Sequence, residues 1–361
     1  KGTRIGIIQS SIGMSVIRYL SSICELKEVI GAQYGSGKLF AFVSDKVAKI
    51  YPSLIPTDSF RIVQDEADKH IHTAIRMWQY LLEKGAERRS SVLAIGGGAI
   101  TDLSGFVAST YMRGIASIYV PTTLLAMVDA CVGGKTAINL DGIKNSIGTF
   151  HEPTEVWICP DLLLTLPRRD LLSGYAEIIK QSVLAGGDMF IRLMNTNPLL
   201  VRETDWTTLI RENIAFKQSV VSEDVEERKG CRIQLNLGHT IGHAIETMSM
   251  LPERPFGKPV LHGEAVAAGL ICELYLSALQ SNGSTALVRE VMALCRNLYR
   301  PIPILCKHLP ELIKIMYHDK KNISKKINFV SVQNPGSFTL MEIESEENIK
   351  ESLDFYRETF G

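Results

Sequence analysis

Several features that define specialised protein classes are missing from this chain of 361 residues. It has no excess of charge, because 39 lysines and arginines balance 39 aspartates and glutamates, whereas a general nucleic-acid binder is normally basic. No run approaches the roughly 20 uninterrupted apolar residues of a membrane span. The N-terminal segment is interrupted by Arg4, Gln9 and Arg18, which makes it a poor signal peptide. We therefore expect a cytoplasmic protein that binds neither nucleic acid nor membrane.

The cysteines lack any ordered spacing. There are seven, an odd and scattered set without a C-x-x-C pair, so neither a disulfide framework nor a cysteine-rich zinc site is expected. The chain also lacks internal repeats and low-complexity segments. What remains is an ordinary globular composition, 45% hydrophobic and 22% charged, with enough length for two domains.

The first half of the chain alternates short apolar runs with amphipathic stretches such as residues 72–85. This alternation predicts an α/β domain with a largely parallel sheet. The predicted strands are 4–8, 39–44, 60–64, 91–97, 117–121 and 155–160.

After Asp161 the apolar residues recur three and four positions apart, which is typical of helices. One late strand, 327–333, and a helical tail are also predicted. We expect an N-terminal α/β nucleotide-binding domain at 1–165 and a mainly helical C-terminal domain at 166–361, with the active site in the cleft between them.

Residues 93–109, "LAIGGGAITDLSGFVAS", read as a buried strand that runs through three glycines into a helix. Backbone amides at such a helix start bind phosphate oxygens well. Gly96 and Gly98 fit the dinucleotide pattern G-x-G-x-x-G, but Thr101 stands where the third glycine belongs. A nucleotide pyrophosphate is one interpretation, and a tight turn that needs glycine is the other.

Acidic side chains near the predicted strands could contact the rest of a nucleotide. Asp45 directly follows the strand 39–44, where a carboxylate can accept ribose hydroxyls or simply cap a helix. Glu66 and Lys69 are either ligands or a solvated helical pair.

Residues 121–150 combine threonines, lysines and glycine turns. The segment lacks a Walker loop, because Asp129 stands where the first glycine would be, so a P-loop nucleotidase is disfavoured. Lys135 and Lys144, each near a glycine turn, indicate an anion cradle instead.

A glutamate and three histidines in the second half of the chain could bind a metal ion. Glu177 lies in a mostly apolar helix and needs a partner, either Lys180 or a shared metal ion. The run "LNLGHTIGHAIE" carries His239 and His243, but it lacks the glutamate of the zincin motif H-E-x-x-H. Glu177 with two of the three histidines His239, His243 and His262 would suit a catalytic zinc with one open position.

In order along the chain, "GGGAITDLSGF", "RGIASIYVPTTLLAMVDACVGGKTAIN", "KNSIGTF", "GYAEIIK", "RIQLNLGHTIGHAIE", "LHGEAVAAG" and "DKK" resemble the 3-dehydroquinate synthase family over residues 39–330. The resemblance implies a homodimeric phosphorus–oxygen lyase of aromatic amino acid biosynthesis that uses NAD and zinc, or cobalt. Its members cyclise 3-deoxy-D-arabino-heptulosonate 7-phosphate to 3-dehydroquinate. The substrate is transiently oxidised, loses phosphate, regains the hydride and closes its ring.

The resemblance also implies site residues. The zinc ligands would be Glu177, His239 and His262. The NAD-binding residues would be Asp45, Glu66, Lys69, Gly97, Gly98, Asp102, Thr122, Thr123, Leu125, Lys144, Thr165 and Leu166. The catalytic and substrate-binding residues would be Arg113, Asp129, Lys135, Asn145, Lys180, Lys217, Arg232, Asn236, His243 and one of Lys320 and Lys321.

Three rival interpretations are distinguishable. Other sugar-phosphate cyclases usually differ at the "GGK" and "DKK" stretches, both of which are present here. A metal-dependent polyol dehydrogenase would produce NADH stoichiometrically. A non-catalytic nucleotide-binding regulator would have lost a metal ligand or Lys135, and none is lost.

Overall fold

The computed structural model describes residues 15–34, 38–141, 143–224, 230–281, 283–318, 327–343 and 345–360. The chain forms two compact units. The first comprises residues 1–167 with 201–218, and the second comprises 168–200 with 219–361. The segment 201–218 thus belongs to the first unit, and the domain boundary at 165 stays a prediction.

A six-stranded sheet forms the centre of the first unit. Its strands are β1 Val16–Tyr19, β2 Leu39–Ser44, β3 Ser59–Ile62, β4 Ser91–Gly96, β5 Ala116–Pro121 and, after a hairpin, β8 Glu155–Ile158. They lie in the order β1-β8-β5-β4-β2-β3, and every pairing is parallel. These pairings confirm the predicted parallel sheet. The sequence could predict it because continuous apolar runs are typical of strands with both faces covered. The predicted strand 4–8 lies outside the described residues.

Some predicted strand ends need correction. The strand expected at 60–64 ends at Ile62, because the Asp68 carboxylate accepts the backbone N–H groups of Val63 and Gln64 at 3.1 and 2.8 Å. The strand expected at 155–160 ends at Ile158, because Pro160 begins a short helical turn.

The helices of the first unit are α1 Ile23–Tyr34, α2 Asp45–Ile50, α3 Ile71–Glu83, α4 Gly98–Thr110 and the first part of α7 Trp206–Glu223. The intervening helices α5 and α6 belong to the second unit and are described below. Helix α3 places Met77 and Leu81 in a core that also includes Leu103 and Val107 of α4. Helix α4 is buried along most of its length, as expected for a helix that is apolar on all sides.

A hairpin that was not predicted from the sequence contains Lys135 and Lys144, the two lysines of the predicted anion cradle. Strands β6 Lys135–Leu140 and β7 Ile143–Phe150 pair antiparallel and form their own sheet, and β6 packs against α4. Asp141 has a left-handed backbone, with φ 49°. Many positions of β7 are exposed, including the apolar Ile147 and Phe150, so the strand lacks the regular apolar–polar alternation that would have revealed it.

The second unit is mainly helical, as predicted. Its helices are α5 Arg168–Ala185, α6 Gly187–Met194, the end of α7, α8 His239–Ser249, α9 His262–Ser281, α10 Thr285–Leu298, α11 Leu309–His318 and α12 Glu346–Phe360. The late strand is confirmed as β9 Asn328–Asn334, but its antiparallel partner β10 Ser337–Glu342 was not predicted. Among the described helices, none has both the length and the apolar character needed to cross a membrane.

Two glycines of α9 allow three helices to pack with their backbones in contact. A Cβ on Gly263 would lie 2.0 Å from the carbonyl oxygen of Ser173 in α5. A Cβ on Gly269 would lie 2.0 Å from the carbonyl oxygen of Gly238, which precedes α8. Helix α9 therefore approaches α5 and α8 more closely than any side chain would permit.

Candidate metal centre and nucleotide-binding residues

Glu177, His239 and His262 lie together in the second unit. Glu177 is on α5, while His239 and His262 are the first residues of α8 and α9. The Nε2 atoms of the two histidines lie 3.4 and 3.2 Å from Glu177 Oε1. All three ligand atoms lie within 4.8 Å of one another. The three residues that the resemblance implied as zinc ligands thus come together from distant parts of the chain.

The donors suit a tetrahedral zinc ion. Zinc lies about 2.0–2.1 Å from nitrogen or oxygen ligands. Two ligands on a tetrahedron of that size are about 3.4 Å apart. The two Nε2–Oε1 separations, 3.4 and 3.2 Å, match that edge, and the three ligand atoms all lie within 4.8 Å of one another.

Both imidazole rings are held by their other nitrogen. His239 Nδ1 lies 3.1 Å from the carbonyl oxygen of Leu237, and His262 Nδ1 lies 3.1 Å from Glu246 Oε2. An N–H at Nδ1 that donates to such an acceptor leaves Nε2 as the metal-binding atom. The sequence analysis missed Glu246, although it lies in the same run as His239 and seven residues later, on the same face of α8.

The electrostatics of this cluster favour a cation. Burial alone would raise the pKa of the fully buried Glu177, but the charge of Lys180 and a hydrogen bond from His262 hold that pKa well below its usual range. Burial would lower the pKa of His262, but its hydrogen bonds to Glu177 and Glu246 raise it to about 10. The same two carboxylates would attract a metal ion, which would displace that proton from His262 on binding.

Lys180 and His243 adjoin the three candidate ligands. Lys180 is buried and its ammonium contacts Glu177 Oε2, so the predicted ion pair exists alongside the candidate metal cluster. The His243 ring centroid lies 5.0 Å from that of His239 and 6.1 Å from that of His262. Burial and the charge of Lys180 lower the pKa of His239, which favours the neutral imidazole that metals bind.

Arg232 and Asn236 lie on a short 3₁₀ helix, Cys231–Asn236, that contacts α5 and leads into α8. The Arg232 side chain is buried. These two predicted substrate residues therefore belong to the same unit as the metal cluster.

In the first unit, the glycine-rich turn has the form that the sequence predicted. Strand β4 ends at Gly96, Gly97 caps α4, and Thr122 donates its backbone N–H to the Gly96 carbonyl at 2.9 Å. A Cβ on Gly97 would lie 3.1 Å from Thr123. The predicted residues Gly97, Gly98, Thr122 and Thr123 thus meet at the carboxyl ends of adjacent parallel strands, where nucleotides bind in such sheets.

A polar network surrounds Lys69, which is buried. Its ammonium donates to Asp102 Oδ2 at 2.7 Å and to Asn145 Oδ1 at 2.5 Å. Asn139 joins Glu66 to this network, because its amide donates to Glu66 Oε1 and its carbonyl accepts the Asn145 N–H, both at 2.9 Å. Lys69 is buried and no helix spans the two residues, so Glu66 and Lys69 are not a solvated helical pair, although Glu66 itself is exposed. Nothing in the sequence pattern indicated Asn139 beyond its place after the "GGK" turn.

Lys217 joins Asp129 within the same unit. Its ammonium lies 2.6 Å from the Asp129 carbonyl oxygen and 2.7 Å from Asp129 Oδ1. Lys217 is buried and its partner is partly buried, so this pair presents a fixed charge distribution rather than two mobile side chains.

The remaining predicted residues are more dispersed. Asp45 is the first residue of α2, so the N-cap position belongs to Ser44, and the Asp45 carboxylate pairs with Lys49 at 2.7 Å. Thr165 Oγ1 lies 2.7 Å from the Tyr51 hydroxyl. Arg113 is exposed on a left-handed backbone, with φ 68°. Lys135 and Lys144 are exposed on the hairpin, and Leu125 and Leu166 are partly buried. Lys320 and Lys321 lie outside the described residues.

The sheet and the helical unit define a class of fold shared with solved cyclases. A 2-epi-5-epi-valiolone synthase from Streptomyces hygroscopicus, solved with NAD⁺ and Zn²⁺, has a TM-score of 0.83 at 23% identity over 99% of both chains. A 2-deoxy-scyllo-inosose synthase, solved with carbaglucose-6-phosphate, NAD⁺ and Co²⁺, has a TM-score of 0.76 at 24% identity over 94% of this chain and 96% of that chain. These likenesses establish the fold.

Sequence comparison then identifies the family. The pattern of the 3-dehydroquinate synthase N-terminal domain matches residues 59–173, and that of the C-terminal domain matches 174–322. A 3-dehydroquinate synthase from Parabacteroides distasonis is 40% identical over 82% of both chains. The chain belongs to the 3-dehydroquinate synthase family, which is a family of lyases. The predicted family and the prediction of an enzyme are confirmed.

Proposed function

We propose that this chain converts 3-deoxy-D-arabino-heptulosonate 7-phosphate to 3-dehydroquinate, with release of phosphate, as a step of the shikimate pathway. The observation that carries the proposal is the cluster of Glu177, His239 and His262 in a chain of this family. The homodimeric state and the cytoplasmic location stay predictions.

Glu177, His239 and His262 would hold zinc, and the residues around the glycine-rich turn would hold NAD. The two related cyclases were solved with NAD⁺ and with Zn²⁺ or Co²⁺, which supports the same cofactors here. Bound zinc supplies a Lewis acid that acidifies a substrate hydroxyl, and bound NAD supplies a reversible hydride acceptor. A family member that oxidises its substrate transiently needs both groups but consumes neither.

Within the first unit, the chain's own residues would hold the nucleotide. The backbone amides near Gly97 and Gly98, at the start of α4, would bind the pyrophosphate. Asp45 would accept ribose hydroxyls. The hydrogen-bonded network of Glu66, Lys69 and Asp102 would bind another part of the NAD molecule. The remaining NAD contacts in this proposal are Thr122, Thr123, Leu125, Lys144, Thr165 and Leu166.

The substrate carries a carboxylate and a phosphate, and the proposed substrate residues are mostly cationic or polar. Lys180 and His243, beside the metal ligands, would orient the substrate hydroxyls and move protons there. Arg232 and Asn236 would bind an anionic group with donors held on a short helix. Lys217, fixed by Asp129, would supply a positive charge at a defined position, and Arg113, Lys135, Asn145 and Lys320 or Lys321 complete the proposed set.

The test is a coupled measurement on the purified enzyme with zinc and NAD⁺ at a small fraction of the substrate concentration. We expect phosphate and dehydroquinate to form in equal amounts over many turnovers per NAD⁺, with no net NADH. Stoichiometric NADH would indicate a polyol dehydrogenase instead. Turnover of a sedoheptulose or glucose phosphate, but not of the heptulosonate phosphate, would assign the chain to another cyclase activity.

A further inference from the structure

Glu273 is a buried carboxyl for which the proposed chemistry has no use. It lies near the middle of α9, and its side chain has no exposed surface. Its Oε2 accepts the backbone N–H of Gly238 at 2.8 Å, and its Oε1 accepts that of Ile241 at 3.1 Å. Burial raises the pKa of Glu273 to about 8, although backbone N–H groups including those of Ile241 and Gly238 oppose the shift. Burying a carboxyl group costs free energy, so the presence of Glu273 at this position calls for an explanation.

The two backbone N–H groups that Glu273 accepts lie at the start of α8: Gly238 directly precedes the helix, and Ile241 is in its first turn. The first amides of a helix have no acceptor within the helix, and each one left unsatisfied in the interior costs roughly 1–3 kcal/mol. A side chain just before the helix usually accepts one of them, but here that position is Gly238, with a left-handed backbone at φ 76°. Glu273 supplies from α9 the acceptor that the α8 segment lacks.

The same turn begins with a candidate metal ligand. His239 is the first residue of α8 and lies between the two amides that Glu273 holds. Its Nε2 lies 3.4 Å from Glu177 Oε1. The contact between Gly269 and the Gly238 carbonyl brings the α9 backbone against this turn as well. The direction of the His239 ring therefore depends on a turn that α9 fixes through one carboxyl and one glycine.

We propose that Glu273 is a positioning residue for metal binding, which caps α8 from α9 and thereby aims His239 at the site shared with Glu177 and His262. This role rests on the proposed function of the cluster as a metal site. Glu273 itself would touch neither metal nor substrate, since both of its oxygens are occupied by backbone amides.

The test compares Glu273→Gln and Glu273→Ala with the wild type in the full chain. The Gln variant keeps one carbonyl acceptor but turns an NH₂ group toward the second amide, and the Ala variant keeps neither acceptor. Loss of a group that supports a metal ligand typically weakens binding by 10–100-fold. We expect about tenfold weaker zinc binding for Gln and about 100-fold for Ala, measured by competition with a chelating dye. We also expect an altered visible spectrum when cobalt replaces zinc, because that spectrum reports ligand geometry.

Ser284→Ala is the matched control. Ser284 caps α10 in the same unit, where its hydroxyl accepts the backbone N–H of Leu287 at 3.2 Å, but α10 carries none of the predicted ligands. We expect a lower melting temperature for this variant with the zinc affinity and cobalt spectrum of the wild type. A folded Glu273→Gln variant with wild-type zinc affinity and spectrum would overturn the positioning role alone, as would an equal loss of zinc affinity in Ser284→Ala. A wild-type chain that binds no zinc would overturn the proposed metal site too.

Discussion

Replacing Gly263 with alanine should test whether close helix packing builds the candidate metal centre. The new Cβ would lie 2.0 Å from the Ser173 carbonyl oxygen, whereas ordinary contact begins at 3.4 Å, so α5 and α9 must separate by about 1.4 Å. Overpacking against a backbone atom costs about 3 kcal/mol, and loss of the bond from Gly263 N–H to Ser173 Oγ adds about 1 kcal/mol. The better helix propensity of alanine returns about 1 kcal/mol. We expect a net loss of about 3 kcal/mol.

The same displacement should weaken zinc binding. His262 precedes Gly263 and Glu177 lies one turn after Ser173, so separation of the helices lengthens the His262–Glu177 distance of 3.2 Å. We expect about 100-fold weaker zinc binding, measured by dye competition beside a urea titration of unfolding. Gly31→Ala is the control, because nothing lies within 4 Å of that Cβ in α1, and we expect a gain of about 0.5–1 kcal/mol with unchanged zinc affinity. A Gly263→Ala variant with wild-type stability and zinc affinity would refute the reasoning.

Two further substitutions test the orientation of a ligand and the nucleotide network. Glu246→Gln should weaken zinc binding by about tenfold, because it removes the charge that holds His262 Nδ1, and unchanged zinc affinity in a competition assay would count against that role. Lys69→Met should destabilise the first unit by about 3 kcal/mol and weaken NAD⁺ binding, because Asp102 then loses its ammonium partner. Calorimetric titration with NAD⁺ checks this, with Lys84→Met as the control, since its ion pair with Asp58 is largely exposed and contributes little to stability. An equal effect of both lysine variants would argue against a special role for Lys69.

How far the sequence could predict this molecule depends on the range of the interactions. The strand Leu39–Ser44 and the helix after Gly97 were predicted because local patterns encode them, as apolar runs and as a glycine turn. The β6–β7 hairpin was missed because its exposed face carries apolar side chains such as Ile147 and Phe150, which obscure the period-two pattern.

The candidate site divides in the same way. From residue types alone, Glu177 with any two of three histidines was a possible metal site, and only the family resemblance selected His239 and His262. Glu246 and Glu273 act through contacts between helices, and no spacing within one segment reveals such contacts. A glutamate flanked by apolar residues within a helix was a usable signal for both Glu177 and Glu273, because such a residue needs a partner.

The central claim is that Glu177, His239 and His262 together bind one zinc ion. The most direct test is the zinc content of purified chains, wild type and His262→Ala, after equilibration with zinc and removal of the excess. We expect one zinc per wild-type chain and almost none in His262→Ala, with circular dichroism showing a largely intact fold. The control His72→Ala, at an exposed histidine of α3, should keep one zinc. A folded His262→Ala chain that retains one zinc would contradict the account.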